Sequence, residues 1–476
     1  MLSWFILVPL AGLILLNLPL GEGLGKRAFA LVLALSLVQI AAVVAVPPEA
    51  WAQPGPLVNF LDLHLRAGSL GLVMLLCIGL AMAAAAMAGS ATIADRRPRF
   101  VSVLLIALMG MNGAVLVTDL FSLYVFLEVT ALSSFVLIAF NRDKLGLEGA
   151  FKYLILGAVA SVLIAASVAV LLLVTGGTSF THVAAALKGT SDAVLVRIAV
   201  GALFCGLFIK GGLIPFHGWV VGAYSAGPAA TSILLAGIAT KVSGIYALIR
   251  LVTTVVPTIA PLQEVLLAAG AVSIIVGALA AMSQRDVKRL LAYSSISQVG
   301  YIMIGLGIGH PLAIAGALFH ILNHAQFKSL LFLNSGALQY RTGTRNMTEM
   351  GGLENRMPIT STTSVFGTLS IAGIPPFNGF FSKLLIILGA VKAGYYTVAT
   401  LAAIFSIFTL GYFLVIQRKV FFGKLNMKWK DLKEAPAAMS VAVILLAASC
   451  LLTGVFFNQI LSWVIEPAVA VLMGGK

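Results

Sequence analysis

One carboxylate and a row of bases stand inside apolar stretches of this chain, where ionisable side chains are costly. The carboxylate is Glu128, in Tyr124-Val125-Phe126-Leu127-Glu128-Val129-Thr130; the bases are Lys152, Lys210, Lys241, Lys328 and Lys383, with His320 and His324. A lysine at membrane depth costs about 2.5–3.5 kcal/mol on insertion scales. One acid neutralises one base, so four lysines lack an evident acidic partner within the chain. A low dielectric disfavours the charged form of any group. Each surplus lysine must therefore be hydrated, neutral part of the time, or paired with a neighbouring subunit. A lysine that is neutral part of the time can accept and release protons. The plainer alternative is that these lysines snorkel to the surface or tie helices together. It fits Lys152, close to the start of its helix, better than Lys210, Lys241 and Lys383, which lie deeper and beside breaks or small residues.

His320, His324 and Lys328 follow one another at i, i+4 and i+8, which puts all three on one helix face. Two neighbouring imidazoles, with unperturbed pKa near 6.5, make a proton relay. The same spacing can hold zinc, but no carboxylate or cysteine follows at ligand spacing and Lys328 adds a cation one turn on. No metal is assigned, and histidines that only pack between helices are the other plain reading. Hard cations want several oxygen ligands. A row of Lys and His offers bases instead, which favours protons over Na⁺, although backbone carbonyls at helix breaks can still bind an ion.

The elements that carry these groups must be membrane helices. Hydrophobic residues make up 60% of the chain and charged residues 10%, with a mean hydropathy of +1.07; a soluble globular domain would carry about 25% charged residues. The run from Leu2 to Leu20 lacks the basic start and cleavage site of a signal peptide and reads as the first span. Cys77, Cys205 and Cys450 are scattered in apolar runs as small filler. At about 20 residues per span, about fourteen spans are expected, near 2–20, 27–47, 68–89, 99–118, 120–140, 147–174, 193–222, 227–252, 262–284, 290–309, 312–338, 360–391, 395–417 and 437–463. The seventh is interrupted at Gly211, Gly212 and Pro215, the twelfth at Pro375 and Pro376. Such breaks are tolerated at membrane depth only where protein or water covers the freed backbone, so they describe a polar path rather than a greasy anchor.

The net charge of +14 is a topology signal, not a nucleic-acid footprint. Of 30 Lys and Arg, 19 fall in loops after odd-numbered spans, 6 on the opposite side and 5 within spans. The positive-inside rule puts the first set in the cytoplasm and both termini outside. An internal repeat accompanies this. Leu213-Ile214-Pro215-Phe216-His217-Gly218-Trp219 is similar to Ile374-Pro375-Pro376-Phe377-Asn378-Gly379-Phe380, offset by 161 residues. The same shift lays spans four to eight over spans nine to thirteen. Five is odd, so the two units would run in opposite directions, as in transporters with inverted repeats and broken helices. The expected division is an N-terminal three-helix segment (1–98), a first five-helix repeat (99–252), a second, inverted one (262–417), and a cytoplasmic loop with a last helix (418–476).

At these residues the chain resembles the antiporter-like, proton-translocating subunits of respiratory complex I, of membrane-bound and formate-linked hydrogenases, and of Mrp-type cation/proton antiporters. The matching positions are Glu128, Lys210 before the first break, Lys241, the H-x-x-x-H-A-x-x-K run of His320, His324, Ala325 and Lys328, and Lys383 after the second break. The resemblance implies that Glu128 pairs with Lys210 and tunes its proton affinity. Lys210 then loads from the cytoplasm. Lys241, His320, His324 and Lys328 form a hydrated axis, and Lys383 ends it. It also implies a place in a prokaryotic cytoplasmic membrane among other membrane-arm subunits. Iron–sulfur, flavin or nickel–iron centres would lie in partner subunits and no cofactor in this chain, where no nucleotide, flavin, haem or iron–sulfur motif is found. Some relatives carry glutamate where Lys383 stands, so that residue does not set the subtype. The chain stops soon after the fourteenth span, as a mid-arm subunit would, without the long lateral helix of the distal one. A subunit of a redox-driven pump is the leading expectation and a subunit of an Mrp-type Na⁺/H⁺ antiporter the alternative. A quinone-binding scaffold would need a polar head-group pocket, and a lone solute transporter would place substrate groups, not lysines, at its breaks.

Overall fold

Apolar chain in lipid has to satisfy its own backbone, and helices do this within one segment. The computed structural model describes residues 2–18, 27–47, 51, 53–57, 64–188, 194–255 and 262–474; Lys26 and Lys476, two of the charges used to orient the chain, lie outside them. Apart from one two-residue pairing, Gly55–Pro56 with His64–Leu65, the named elements are helical. In chain order they are α1 (Trp4–Asn17), α2 (Ala28–Ala45), α3 (Ser69–Thr92), α4 (Arg97–Leu116), α5 (Leu120–Ile138), α6 (Lys144–Thr175), the short α7 (Phe180–Leu187), α8 (Val194–Gly211), α9 (Gly218–Ala226), α10 (Ala229–Thr254), α11 (Leu262–Met282), α12 (Val287–Ile308), α13 (Pro311–Thr342), α14 (Pro358–Ala372), α15 (Asn378–Lys392), α16 (Tyr396–Phe421), α17 (Ala437–Val455) and α18 (Phe457–Leu472).

Among the described residues eleven helices are long and apolar enough to cross a membrane: α2 to α6, α8, α10, α11, α12, α16 and α17. The chain is thus a nearly all-helical, multi-pass membrane protein. All fourteen expected ranges carry helix, but they do not all meet that measure. α1 has 14 residues, about 21 Å at 1.5 Å per residue. α13 has 32 residues but carries His320, His324 and Lys328. α14 and α15 are two 15-residue pieces of one interrupted span.

Sequence features set the ends. Asp119, Asp143 and Asp286 cap α5, α6 and α12 by accepting from the amides of Ser122, Gly146 and Arg289, which satisfies donors that have no partner within the helix. Both breaks are built alike. Gly212 and Gly373 take φ of 67° and 82°, a left-handed conformation that glycine adopts without penalty. Leu213 N donates to Phe208 O and Ile374 N to Leu369 O; Phe216 N donates to Leu213 O and Phe377 N to Ile374 O. Ile214–Pro215 and Pro375–Pro376 are cis.

The core is organised around α13. It touches α3, α10, α12, α14, α15 and α17 and is buried over most of its length. α10 is buried as completely, and it is not a plain α-helix. Two π-helical stretches, Leu235–Ala239 and Lys241–Tyr246, interrupt it, a feature the apolar pattern does not reveal. α2, α6, α11 and α16 face outward with apolar side chains.

Candidate functional site

The mid-span carboxylate meets the first of the deep lysines. Glu128 on α5 and Lys210 in the last turn of α8 form an ion pair at 3.0 Å, with side chains 26% and 5% exposed. Ser161 on α6 donates to the same Glu128 oxygen at 2.7 Å and lies 3.5 Å from Lys210 Nζ. Lys210 is therefore held where its helix stops, with a hydroxyl shared between the two charges.

A small cavity of about 20 Å³ opens beside Lys210 and reaches Thr240, lined also by Tyr153, Trp219 and Ser243. That is room for about one water between polar groups. Thr240 Oγ1 lies 2.6 Å from Tyr224 Oη and 3.3 Å from Lys241 Nζ. Lys241 Nζ also donates to the Ala236 carbonyl. Its ammonium sits 5.8 Å from the Tyr224 ring centroid. The irregular stretch of α10 thus aims Lys241 and Thr240 together.

The next groups stand on α13. His324 is fully buried, and among the described residues neither ring nitrogen has a hydrogen-bond partner; Lys241, Lys328 and His320 all lie within electrostatic reach of it. Lys328 Nζ donates to Ser294 Oγ at 2.5 Å and Leu291 O at 2.9 Å, both on α12. His320 Nδ1 lies 2.9 Å from Ser382 Oγ, and the His320 and His324 ring centroids are 6.4 Å apart. Lys383, next in sequence to Ser382, donates to Ile371 O at 2.8 Å, at the end of α14, and to Ser406 Oγ at 3.2 Å. The Tyr301 ring bridges it to His320, with centroid separations of 4.9 Å and 5.9 Å.

Glu128, Lys210, Lys241, His320, His324, Lys328 and Lys383 therefore form one line through the interior. Gly211, Gly212, Pro215, Pro375 and Pro376 lie at its two interruptions. Lys152 does not belong to it. It pairs with Glu148 at 2.5 Å, one turn back on α6, and both side chains are about half exposed. The acid count made from the sequence omitted Glu148, so the surplus lysines number three, not four. The hydroxyl and aromatic links escaped the sequence reading, because serine, threonine and tyrosine are common in membrane helices; only Ser382 had a pointer, its neighbour Lys383. Lys288, assigned to a loop, is buried at the start of α12. Among the described residues no group of three His, Cys, Asp or Glu is placed to hold a metal.

Residues 117–409 match the family described as NADH:quinone oxidoreductase/Mrp antiporter, TM. The chain belongs to that family. Its transmembrane antiporter-type domain covers Glu128 through Lys383. Two curated relatives show both branches. An NADH-quinone oxidoreductase subunit of Desulforudis audaxviator is 35% identical over 391 residues, 78% of each chain. A Na(+)/H(+) antiporter subunit of Alkalihalophilus pseudofirmus is 35% identical over 368 residues, 77% of this chain and 74% of the relative. Among solved structures, a chain of the membrane-bound sulfane sulfur reductase, an archaeal respiratory membrane complex, superposes with a TM-score of 0.89 at 25% identity, over 99% of this chain and 97% of that one. As an NADH:quinone oxidoreductase/Mrp family member, the chain is an antiporter-like membrane subunit of the complex I or Mrp kind.

Proposed function

We propose that this chain translocates protons as a membrane-arm subunit of a redox-driven complex, of the NADH:quinone oxidoreductase or membrane-bound hydrogenase type, in a prokaryotic cytoplasmic membrane. The observation that carries the proposal is the interior line itself. It begins at the Glu128–Lys210 pair and ends at Lys383, with hydroxyl or imidazole groups between successive ammonium groups. Unpartnered buried polar atoms of His324, Asn323, Ser329 and Asn334 lie along α13. Buried polar groups without protein partners are satisfied by internal water, and water is what a proton needs to pass between bases several ångströms apart. Lys210 receives a proton from the cytoplasmic half. Separation of Glu128 from Lys210 removes the charge that favours the ammonium form, and the proton moves towards Lys241. Lys328, His324 and His320 carry it along α13 in that order, and Lys383 delivers it to the outer side or to the neighbouring subunit. Redox centres would sit in partner subunits, and both termini would lie outside. The two breaks, alike in sequence and in hydrogen bonding, support reading spans four to eight and nine to thirteen as inverted units that place Lys210 and Lys383 at related positions.

The test is Lys210→Met in the assembled complex, in vesicles. Proton uptake is expected to fall at least tenfold while the complex still assembles. Normal pumping with full assembly would falsify the role of the line. The similarity to the Na(+)/H(+) antiporter relative supports the second reading, a subunit of an Mrp-type Na⁺/H⁺ antiporter. It predicts Na⁺-dependent proton movement in vesicles given no electron donor.

A further inference from the structure

Loops after the third, fifth, seventh, ninth and eleventh expected spans close around a cavity of about 600 Å³, lined among others by Asp143, Gly227, Asp286, Tyr340 and Arg345. These are the loops on the side with the basic excess, which the proposed orientation makes cytoplasmic. Beneath Gly227 lies Lys288, the second residue of α12. It is 1% exposed, and its Nζ donates to Gly227 O at 3.2 Å. An ammonium has three donors, and Gly227 takes one. Asp286, Asp143 and Arg345 are the charged groups that act on Lys288. Asp286 is itself paired with Arg345 at 3.2 Å, and among the described residues no carboxylate forms an ion pair with Lys288. Three residues further along α12, about 4.5 Å of rise, Leu291 O receives Lys328 Nζ, together with Ser294 Oγ. Lys288 and the groups that hold Lys328 thus occupy about the first two turns of α12, with Lys288 nearer the cavity.

We infer that Lys288 is a second proton-uptake site, which takes protons from this cavity and passes them along α12 to Lys328 without use of the Glu128–Lys210 pair. The inference rests on the proton-translocating function proposed above. Its step is a proton transfer alone. A hydrated proton in the cavity binds the neutral Lys288 amine, and a proton leaves Lys288 through water for Lys328. The competing role is a structural tie between α12 and the loop after α9. Arginine separates the two. It keeps the charge and the donor to Gly227 but does not release its proton.

The experiment measures proton uptake by vesicles that contain the whole complex, energised as for the wild type, with Lys288→Met, Lys288→Arg and Lys288→His each added to Lys210→Met and compared with Lys210→Met alone at equal complex content. Because Lys210→Met leaves at most about a tenth of the uptake, the inference expects that remainder to vanish when Lys288→Met or Lys288→Arg is added to Lys210→Met, and to return in measurable part with Lys288→His. A remainder unchanged by Lys288→Arg, or no remainder in Lys210→Met alone, overturns the second site and leaves the proposed function standing. Wild-type uptake in Lys210→Met overturns the proposed function. A further arm does not depend on folding of the Lys288 variants. Tyr340→Cys, at the exposed rim, is labelled after assembly with a bulky maleimide from the cavity side, with wild type labelled in parallel because Cys205 is partly exposed. In the Lys210→Met background, loss of the remaining uptake only in the labelled variant is expected; an unchanged remainder overturns the cavity as a route.

Discussion

Burial separates lysines that the sequence groups together. Lys152 stands half exposed and paired with Glu148; such an i,i+4 pair in water is worth about 0.3–0.5 kcal/mol. Lys152→Gln is therefore expected to leave proton uptake within about twofold of wild type, and a tenfold loss would return Lys152 to the line. Glu128 is the opposite case. Among the described residues its carboxylate is the one in contact with Lys210, and Ser161 is held by the same oxygen. Glu128→Gln keeps the shape and an acceptor but removes the charge that favours protonated Lys210. Uptake is expected to fall about tenfold, equivalent to about 1.4 kcal/mol, with Glu128→Asp in between. Equal rates in Gln and wild type would show that the pair only ties α5 to α8. The charged members of the line were legible in the sequence because ionisable residues in apolar runs are rare and costly. Ser161, Thr240, Tyr224 and Tyr301 were not, since a hydroxyl in a membrane helix costs little and carries no spacing signal. Lys288 was hidden by its neighbours: Arg285, Asp286 and Arg289 made the run look like a solvated loop, although the helix starts at Val287.

The helices place these groups by where they fail to be regular. The breaks after α8 and α14 were readable, because Gly and Pro together interrupt a helix. The π-helical stretches of α10 were not, because they depend on what packs against the helix. That packing is tight at one point. A Cβ on Gly244 would stand 2.2 Å from Gly211 Cα and 2.3 Å from Gly211 N, so α10 crosses α8 backbone against backbone, directly after Lys210. Gly244→Ala must push the two helices apart. Overpacking of this kind costs about 1–3 kcal/mol. The variant is expected to survive heating in detergent less well than wild type, as read by the fraction that still elutes as intact complex. The Lys210–Thr240–Lys241 link would loosen with it, so uptake per assembled complex should fall too. Unchanged heat resistance would mean that the crossing has slack that the static arrangement does not show.

For the whole molecule the open choice lies between two drives for one path. The chain is about equally similar to a quinone oxidoreductase subunit and to a Na⁺/H⁺ antiporter subunit, so overall likeness does not choose. The chemistry of the line leans one way. Sodium favours several oxygen ligands, whereas beyond the Glu128–Lys210 pair the line offers three ammonium groups and two imidazoles. A Na⁺ ion on that axis would meet nitrogen bases where it wants oxygen ligands. Protons suit it, because each base can carry one and pass it on. In the proposed cycle something outside the line separates Glu128 from Lys210, and a redox reaction in companion subunits can do this without any Na⁺ gradient. The prediction is that mild-detergent purification brings down subunits with iron–sulfur and flavin or nickel absorbance. Vesicles should then acidify on addition of the electron donor at the same rate in Na⁺-free and Na⁺-containing buffer. Companions that are all small membrane proteins without chromophores, together with a rate that vanishes without Na⁺, would transfer the same line of residues to the antiporter. There Na⁺ would have to cross by a different route, in contact with carbonyl or carboxylate oxygens away from Lys241 and Lys328.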